Sequence, residues 1–240
     1  MTHVPALVDL RPNGRYRRVL TQPVVWFGTV LVCFVWAVSW MQIQNERETS
    51  ERDIAQESAN LALVLEQNVS RSASEIDRIL KFLRQAYERS GFNAHWPTLV
   101  QADFTVNEQT VQIAIIDAKG MMITSTAMLY PGKPVDLSDR EHFRVHQVAQ
   151  KDRLFISKPV VGRASGKSSV QFTRPFFGAD ANFAGVIVVS LDPAHLSAAY
   201  KDLNLGDGGG LAVIGTDDIV RAGSGIYEQS VGRGFREGIR

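Results

Sequence analysis

The chain has 240 residues, 26 Lys and Arg against 25 Asp and Glu, and one cysteine. That length suffices for one or two modest domains with a real core. A formal net charge of +1 excludes binding to nucleic acid by bulk electrostatics, and Cys33 alone excludes an intramolecular disulfide and any multi-cysteine metal site.

Residues 19–45 carry no charge, and residues 24–41, "VVWFGTVLVCFVWAVSWM", are almost wholly apolar. Eighteen helical residues span roughly 27 Å, close to the thickness of a bilayer core. Nine of them are Val, Leu or Phe; together these favour insertion by about 3 to 5 kcal/mol. Trp26, Trp36 and Trp40 lie toward the ends, where indole rings favour the interface. Arg11, Arg15, Arg17 and Arg18 precede the segment, whereas Glu46, Glu48, Glu51, Asp53 and Glu57 follow it. The positive-inside rule then keeps the N-terminus in the cytoplasm and exports the rest. Ala37, Val38 and Ser39 form a small-x-small cleavage pattern, but the apolar run continues through Trp40 and Met41, so an uncleaved anchor is the expectation over a signal peptide. No second apolar run of spanning length follows, so on this reading the chain ends on the exported side.

Residues 44–90 contain neither proline nor glycine. Ile54, Leu61, Leu65, Val69, Ile76, Leu80, Leu83 and Tyr87 recur every three, four or seven residues, one apolar stripe on a long helix, with Gly91 as its stop. Such a stripe must bury against a following domain, a second subunit, or both.

Beyond residue 110 the period changes to two. "VQIAIID", the turn "DAKG" and "MMITST" predict a hairpin. "LSDREHFRVHQVAQ" (137–150) predicts a helix, with Ser138 and Glu141 as a capping box and Arg140 in the first turn. "RLFISKPV" (153–160), "SSVQFTRPF" (168–176) and "FAGVIVVSL" (183–191) predict antiparallel strands. "DPAHLSAAY" predicts a short helix capped by Asp192, with Pro193 at its first position. "GDGGG" (206–210) opens a strand–turn–strand unit, "LAVIGTDDIVRA", and the tail from Gly223 has no periodicity. The fold class is α+β: a transmembrane helix, a long helix, and an antiparallel sheet flanked by helices. The unit from Gly206 resembles the start of a second module, too short to bury a core alone.

Several segments imitate catalytic motifs. "VGRASGKSS" lacks a P-loop's first glycine, because Val161 holds that position, and it joins two strands where a P-loop joins strand to helix. His142 and His146 share a helix face, but no third metal ligand accompanies them and His195 is distant. There is no Gly-x-Ser-x-Gly elbow, and Asp217 and Asp218 fall in a turn. No catalytic residue, metal site or cofactor is expected, and no enzyme within these residues.

"IIDAKGMMITST", "DLSDREHFR", "FISKPVVGRASGKSSVQFTRPF", "FAGVIVVSLDPAHLSAAY" and "LGDGGGLAVIGTDDIVRA", in that order and spacing, resemble the double Cache (PAS-like) extracytoplasmic sensor domains of bacterial receptors. The match is to those preceding diguanylate cyclase (GGDEF) or histidine kinase modules. The resemblance implies a cytoplasmic tail (1–22), a membrane helix (23–43), a long extracytoplasmic signalling helix (44–91), a membrane-distal module (92–203) and an incomplete second module (204–240). Together with the single apolar run and its charged flanks, it leads to the expectation of a bacterial inner-membrane, single-pass location with the main domain in the periplasm, and of a homodimer through the long helix. It also implies a ligand pocket between the sheet and the "LSDREHF" region. Arg140, His142, Phe143, Arg163 and Arg174 are the candidate ligand-binding residues, for a small anionic molecule such as a carboxylate. The chain departs from the family pattern twice: it has no GGDEF or kinase module, and it lacks the full aromatic–Arg–Asp set of the amino-acid-binding subfamily. The alternatives are the N-terminal part of a longer cyclase or kinase, or an anchored protein-interaction module.

Overall fold

The computed structural model describes residues 23–90, 110–127, 134–149, 151–178, 180–198, 205–206 and 208–236. The expected cytoplasmic tail, the Gly91 stop and the loop that follows lie outside them. The chain divides into two compact units, Met1–Leu63 and Val64–Arg240.

Helix α1 runs without a break over Pro23–Ser90. Its segment Pro23–Glu46 is long and apolar enough to cross a membrane, and none of it is buried within the protein. Trp26, Trp36, Trp40 and Cys33 are all exposed on it. In the second unit the stripe divides the helix sharply. Ile76, Leu80 and Leu83 are buried in the core, with Tyr87 packed alongside. The solvent side carries ion pairs one turn apart, such as Arg78 with Glu75 at 4.0 Å. Toward the first unit the stripe loses its cover: Leu65 is buried, but Ile54 is exposed.

The sheet has six strands: β1 (Thr110–Asp117), β2 (Met122–Ser125), β3 (Phe155–Ile156), β4 (Val160–Val161), β5 (Ser168–Phe177) and β6 (Phe183–Leu191), ordered β2-β1-β6-β5-β3, with β4 also pairing to β5. Every pairing is antiparallel. The central strands β1, β6 and β5 are buried on both faces. Since alternate residues point to opposite faces, each strand serves two layers. Ile113, Ile115, Ile187, Val189, Val170, Phe172 and Phe176 pack with α1. Ala114, Ile116, Val186 and Val188 pack with Leu137 and with Phe143 of helix α2 (Glu141–Ala149) on the other side.

Two predicted elements differ from the observed ones. The expected strand over 153–160 is broken at Ser157, Lys158 and Pro159, because a proline has no N–H to give the ladder. Ser157 fills the gap: its N–H donates to Gln171 O and its hydroxyl accepts from Gln171 N, both at 2.9 Å. The helix expected from residue 137 begins only at Glu141. Residues 137–140 form a turn in which Asp136 Oδ1 accepts the Ser138 N–H at 2.9 Å and Leu137 N donates to Gly120 O at 2.8 Å. Gly120, at φ 85°, sits so close that a Cβ there would lie 2.5 Å from Ser138 Cα. The Ser138–Glu141 capping box therefore does not form, and Arg140 occupies the N-cap position, its carbonyl accepting from Arg144 N at 3.0 Å.

Helix α3 (Pro193–Ala198) is capped as expected, with Ala194 N donating to Asp192 Oδ1 at 2.8 Å. Strands β7 (Gly210–Ile214) and β8 (Val220–Gly225) form a separate two-stranded sheet. Ala222 joins the core below α1, with Val213 packed against it. The tail, aperiodic in sequence, is held in place: Phe235 N donates to Asp218 O at 2.7 Å, and Phe235 stacks 5.6 Å from Tyr227.

Arg174 belongs to this framework and not to the expected pocket. The parity of β5 turns it to the α1 face, where it is 8% exposed. Its guanidinium forms a two-pronged contact with Asp77 of α1, and Nη1 meets Asp152 Oδ1 at 2.5 Å. Arg84 of α1 reaches Asp152 Oδ2 at 2.8 Å. Burial raises the Asp77 pKa, but hydrogen bonds from Arg174 and Lys81 outweigh it and hold the carboxyl below its ordinary value. A polar clamp thus fixes α1 to β5 beside the apolar contact. Replacing Arg174 with Met keeps the volume and leaves Asp77 to Lys81 alone and Asp152 to Arg84 alone. The expected loss is about 1–3 kcal/mol of unfolding free energy in urea titrations.

A candidate ligand pocket on the α2 face of the sheet

The face of the sheet turned away from α1 is apolar at one end and polar at the other. One row of residues crosses three strands in register: Gln112 of β1 opposite Ser190 of β6, and Ser190 opposite Gln171 of β5. All three are buried. Ser190 Oγ donates to Gln171 Oε1 at 2.6 Å, Gln171 Nε2 donates to Ser169 Oγ at 2.8 Å, and Gln112 Nε2 donates to Ser125 Oγ at 2.8 Å. A polar row inside a buried sheet is retained only when its members satisfy one another or a bound molecule.

Above this row lies a cavity. Its floor is Gln112, Ala114, Ile116, Gln171, Val188 and Ser190; Met122, Leu137, Arg140 and His142 form one wall. The β4–β5 hairpin covers it with Val160, Val161, Gly162, Arg163 and Ala164. This hairpin is the segment "VGRASGKSS". It makes a six-residue turn between β4 and β5, with Gly162 N donating to Lys167 O at 2.9 Å and Gly166 at φ 67°. The chain here covers a cavity and does not open a helix, as the missing P-loop glycine anticipated.

Two contacts tie the hairpin to the turn before α2. Arg140 Nη2 donates to Val161 O at 3.1 Å. Arg163 forms a fork on Asp139, with Nη1–Oδ1 at 2.6 Å and Nη2–Oδ2 at 2.7 Å, and also donates to Asp136 O at 2.6 Å. The hydrogen bonds from Arg163 hold the Asp139 carboxyl below its ordinary pKa. Both groups are exposed, and a solvated pair of this kind is a weak fastener. With the hairpin down, the cavity measures about 30 Å³, room for about two water molecules. The pocket is narrow and partly open to solvent.

Three of the five candidate residues, Arg140, His142 and Arg163, therefore meet at one cavity. Arg174 lies on the other face for the reason given above. Phe143 is fully buried in the core, edge-on to Phe183 at 5.7 Å, and is not among the lining residues. The floor residues Gln112, Gln171 and Ser190 were missed in the sequence reading. A signal for them existed: each interrupts a strand of otherwise apolar residues at an inward position, in "VQIAIID", "VQFTRPF" and "VVSL".

The two histidines of α2 separate in role. His142 lines the cavity; His146 is fully buried, with Nε2 2.9 Å from Thr173 Oγ1 of β5 and Nδ1 without a partner among the described residues. Among the described residues no three His, Cys, Asp or Glu side chains are grouped to hold a metal. Burial, followed by the charge of Arg140, lowers the His142 pKa to about 4. Burial, followed by the charge of Arg153, lowers that of His146 to about 4. Both are neutral at pH 7. In the unfolded chain each takes up a proton near pH 6.5, while the folded state resists until about pH 4. Stability is therefore intact above pH 6.5 and falls as the pH drops from 6.5 toward 4, by up to about 1.4 kcal/mol per pH unit for each histidine. Urea midpoints measured from pH 7.5 to 4.5 should trace this fall, and His146→Gln should flatten its slope by about half.

No family model and no curated protein matches this sequence. Solved structures do match. The extracellular domain of a protein assigned as the histidine kinase rpHK1S-Z16 shares 24% identity at a TM-score of 0.57, over 69% of this chain and 66% of that one. The ligand-binding domain of the Pseudomonas fluorescens chemoreceptor CtaA, solved with L-serine, shares 15% at a TM-score of 0.58, over 72% and 73%. The ligand-binding domain of Mlp24, solved with asparagine, shares 14% at a TM-score of 0.58, over 78% and 76%. The chain has the fold of the extracellular, Cache-type sensor domains.

Proposed function

We propose that the chain is the membrane-anchored, extracytoplasmic sensor region of a bacterial signal-transduction receptor, and that it binds a small anionic molecule in the cavity under the β4–β5 hairpin. The observation that carries this reading is the meeting of Arg140 and Arg163 over a buried polar row, in a cavity covered by a hairpin that a solvated ion pair holds down. Segment Pro23–Glu46 is the anchor, with residues 1–22 cytoplasmic and the sheet domain in the periplasm, on the charge asymmetry of its flanks. The domain itself binds and does not catalyse; catalysis belongs to the partner modules of a larger receptor. Residues 204–240 are the beginning of a second module, docked through Ala222 and Val213.

A cavity of two waters admits a ligand only if the hairpin lifts. A ligand carboxylate competes with Asp139 for the Arg163 fork, since both present the same pair of oxygens. Lifting the hairpin moves β4 and its partner β5, and β5 carries Thr173 against α2 and Arg174 against α1. The ligand thereby favours one placement of α1 over another, which is the differential affinity that any signal requires. Two charge-assisted bonds of about 1.5–3 kcal/mol each, with the burial of an apolar body, support affinity in the roughly micromolar range.

Isothermal titration of the full chain in nanodiscs against a panel of organic acids and amino acids tests the reading. Arg140→Ala should weaken the best ligand at least tenfold with little change in stability. Asp139→Asn removes the internal competitor and should tighten it several-fold. If no panel member binds the folded chain, or if Arg140→Ala leaves affinity unchanged, the pocket is wrongly assigned.

We further propose that two copies pair along α1. Ile54 is 64% exposed and shares a face of α1 with Leu61, seven residues on, and apolar side chains on one helix face gain by mutual burial. In a Cys33→Ser background, Ile54→Cys should crosslink as a self-dimer. Crosslinking to a different protein would favour the interaction-module reading.

A further inference from the structure

The solved domains that share this fold include two holding serine and asparagine, molecules that carry both a carboxylate and an ammonium group. The cavity of this chain is equipped for the first group only. Arg140 and Arg163 supply fixed positive charge at its mouth. Among the described residues that line it, none is Asp or Glu. A neighbouring carboxylate, Asp139, forks to Arg163, lies outside the lining and is solvent-exposed, so a ligand that displaces it from Arg163 releases it to water and not into the cavity. His142 is neutral at pH 7 and adds no charge of either sign.

This imbalance decides between ligand classes. A zwitterion would bring its ammonium into a site with no anion to receive it and with guanidinium groups nearby. Desolvating that cation without a counter-charge is costly, and the repulsion adds to the cost. A monoanion, in contrast, balances the site. The polar floor then needs only neutral partners. Gln112 gives its amide N–H to Ser125, and no described residue donates to its carbonyl oxygen; an amide oxygen accepts a hydroxyl hydrogen without demanding charge. Ala114, Ile116 and Val188 complete an apolar bed for a short carbon chain.

We infer that the ligand of this pocket is a small monocarboxylic acid without an ammonium group, with an apolar body of a few carbons and at most a hydroxyl beside the carboxylate. The inference rests on the sensor reading above and specifies what that sensor accepts.

Compounds differing by one group test it: propionate, lactate and alanine, and separately butyrate and 4-aminobutyrate, titrated calorimetrically into the full chain in nanodiscs at pH 7. The expected result is binding of propionate, lactate or butyrate at least tenfold tighter than the amino compound of the same carbon skeleton. Alanine or 4-aminobutyrate binding as tightly as its counterpart overturns the inference and leaves the sensor reading in place. If none binds at millimolar concentration while circular dichroism shows the chain folded, the anionic-ligand reading falls, and the inference with it.

Discussion

Everything in the second unit depends on three central strands buried on both faces. Strands β1, β6 and β5 cannot offer one face to water, so every alternate residue answers to a different neighbour. One set meets the stripe of α1; the other meets α2 and the cavity. A shift of register by one residue would exchange Gln112, Gln171 and Ser190 for Ile113, Phe172 and Val189, placing polar groups against Leu80 and apolar ones over the pocket floor. Function and stability are therefore written into the same strands at a period of two.

This arrangement explains how a sensing face and a signalling face can be separate yet mechanically joined. Thr173 and Arg174 are adjacent in β5 and point in opposite directions, one to His146 of α2 and the other to Asp77 of α1. The distance between the two layers is the thickness of one strand. Apolar packing alone would let α1 slide along the sheet, since dispersion contacts are weakly directional. The guanidinium fork on Asp77 and the second prong on Asp152 fix position and angle. At the opposite face the fastener is weaker by design of its surroundings: Arg163 and Asp139 are solvated, so the hairpin can open while the α1 clamp holds.

Much of the fold was legible in the sequence because its signals are local. The α1 stripe, the "DAKG" turn, the Asp192 cap and the β4–β5 hairpin each follow from residues within a few positions of one another. The errors have a common origin in contacts distant along the chain. Ser138 and Glu141 have the right spacing for a capping box, but the approach of Gly120 to Ser138 and the grip of Asp136 convert that stretch to a turn. Arg174 is a charge in an otherwise apolar strand whose partner, Asp77, lies 97 residues away. Gln112 and Gln171 look like tolerated polar positions until the strands are paired and the row becomes visible.

The sequence by itself determined the periods: an apolar span, a 3.6-residue stripe, then strands alternating at two, with turn residues between them. Those periods settle the α+β class, because each is a property of backbone geometry read one element at a time. Tertiary structure alone decided which face of each strand meets which layer, and with it which arginine holds a helix and which waits over a cavity. Parity within a strand fixes that two residues share a face, but not whether the face meets α1 or the hairpin; that choice is made only when all the layers pack together and each charge finds the partner that compensates its burial.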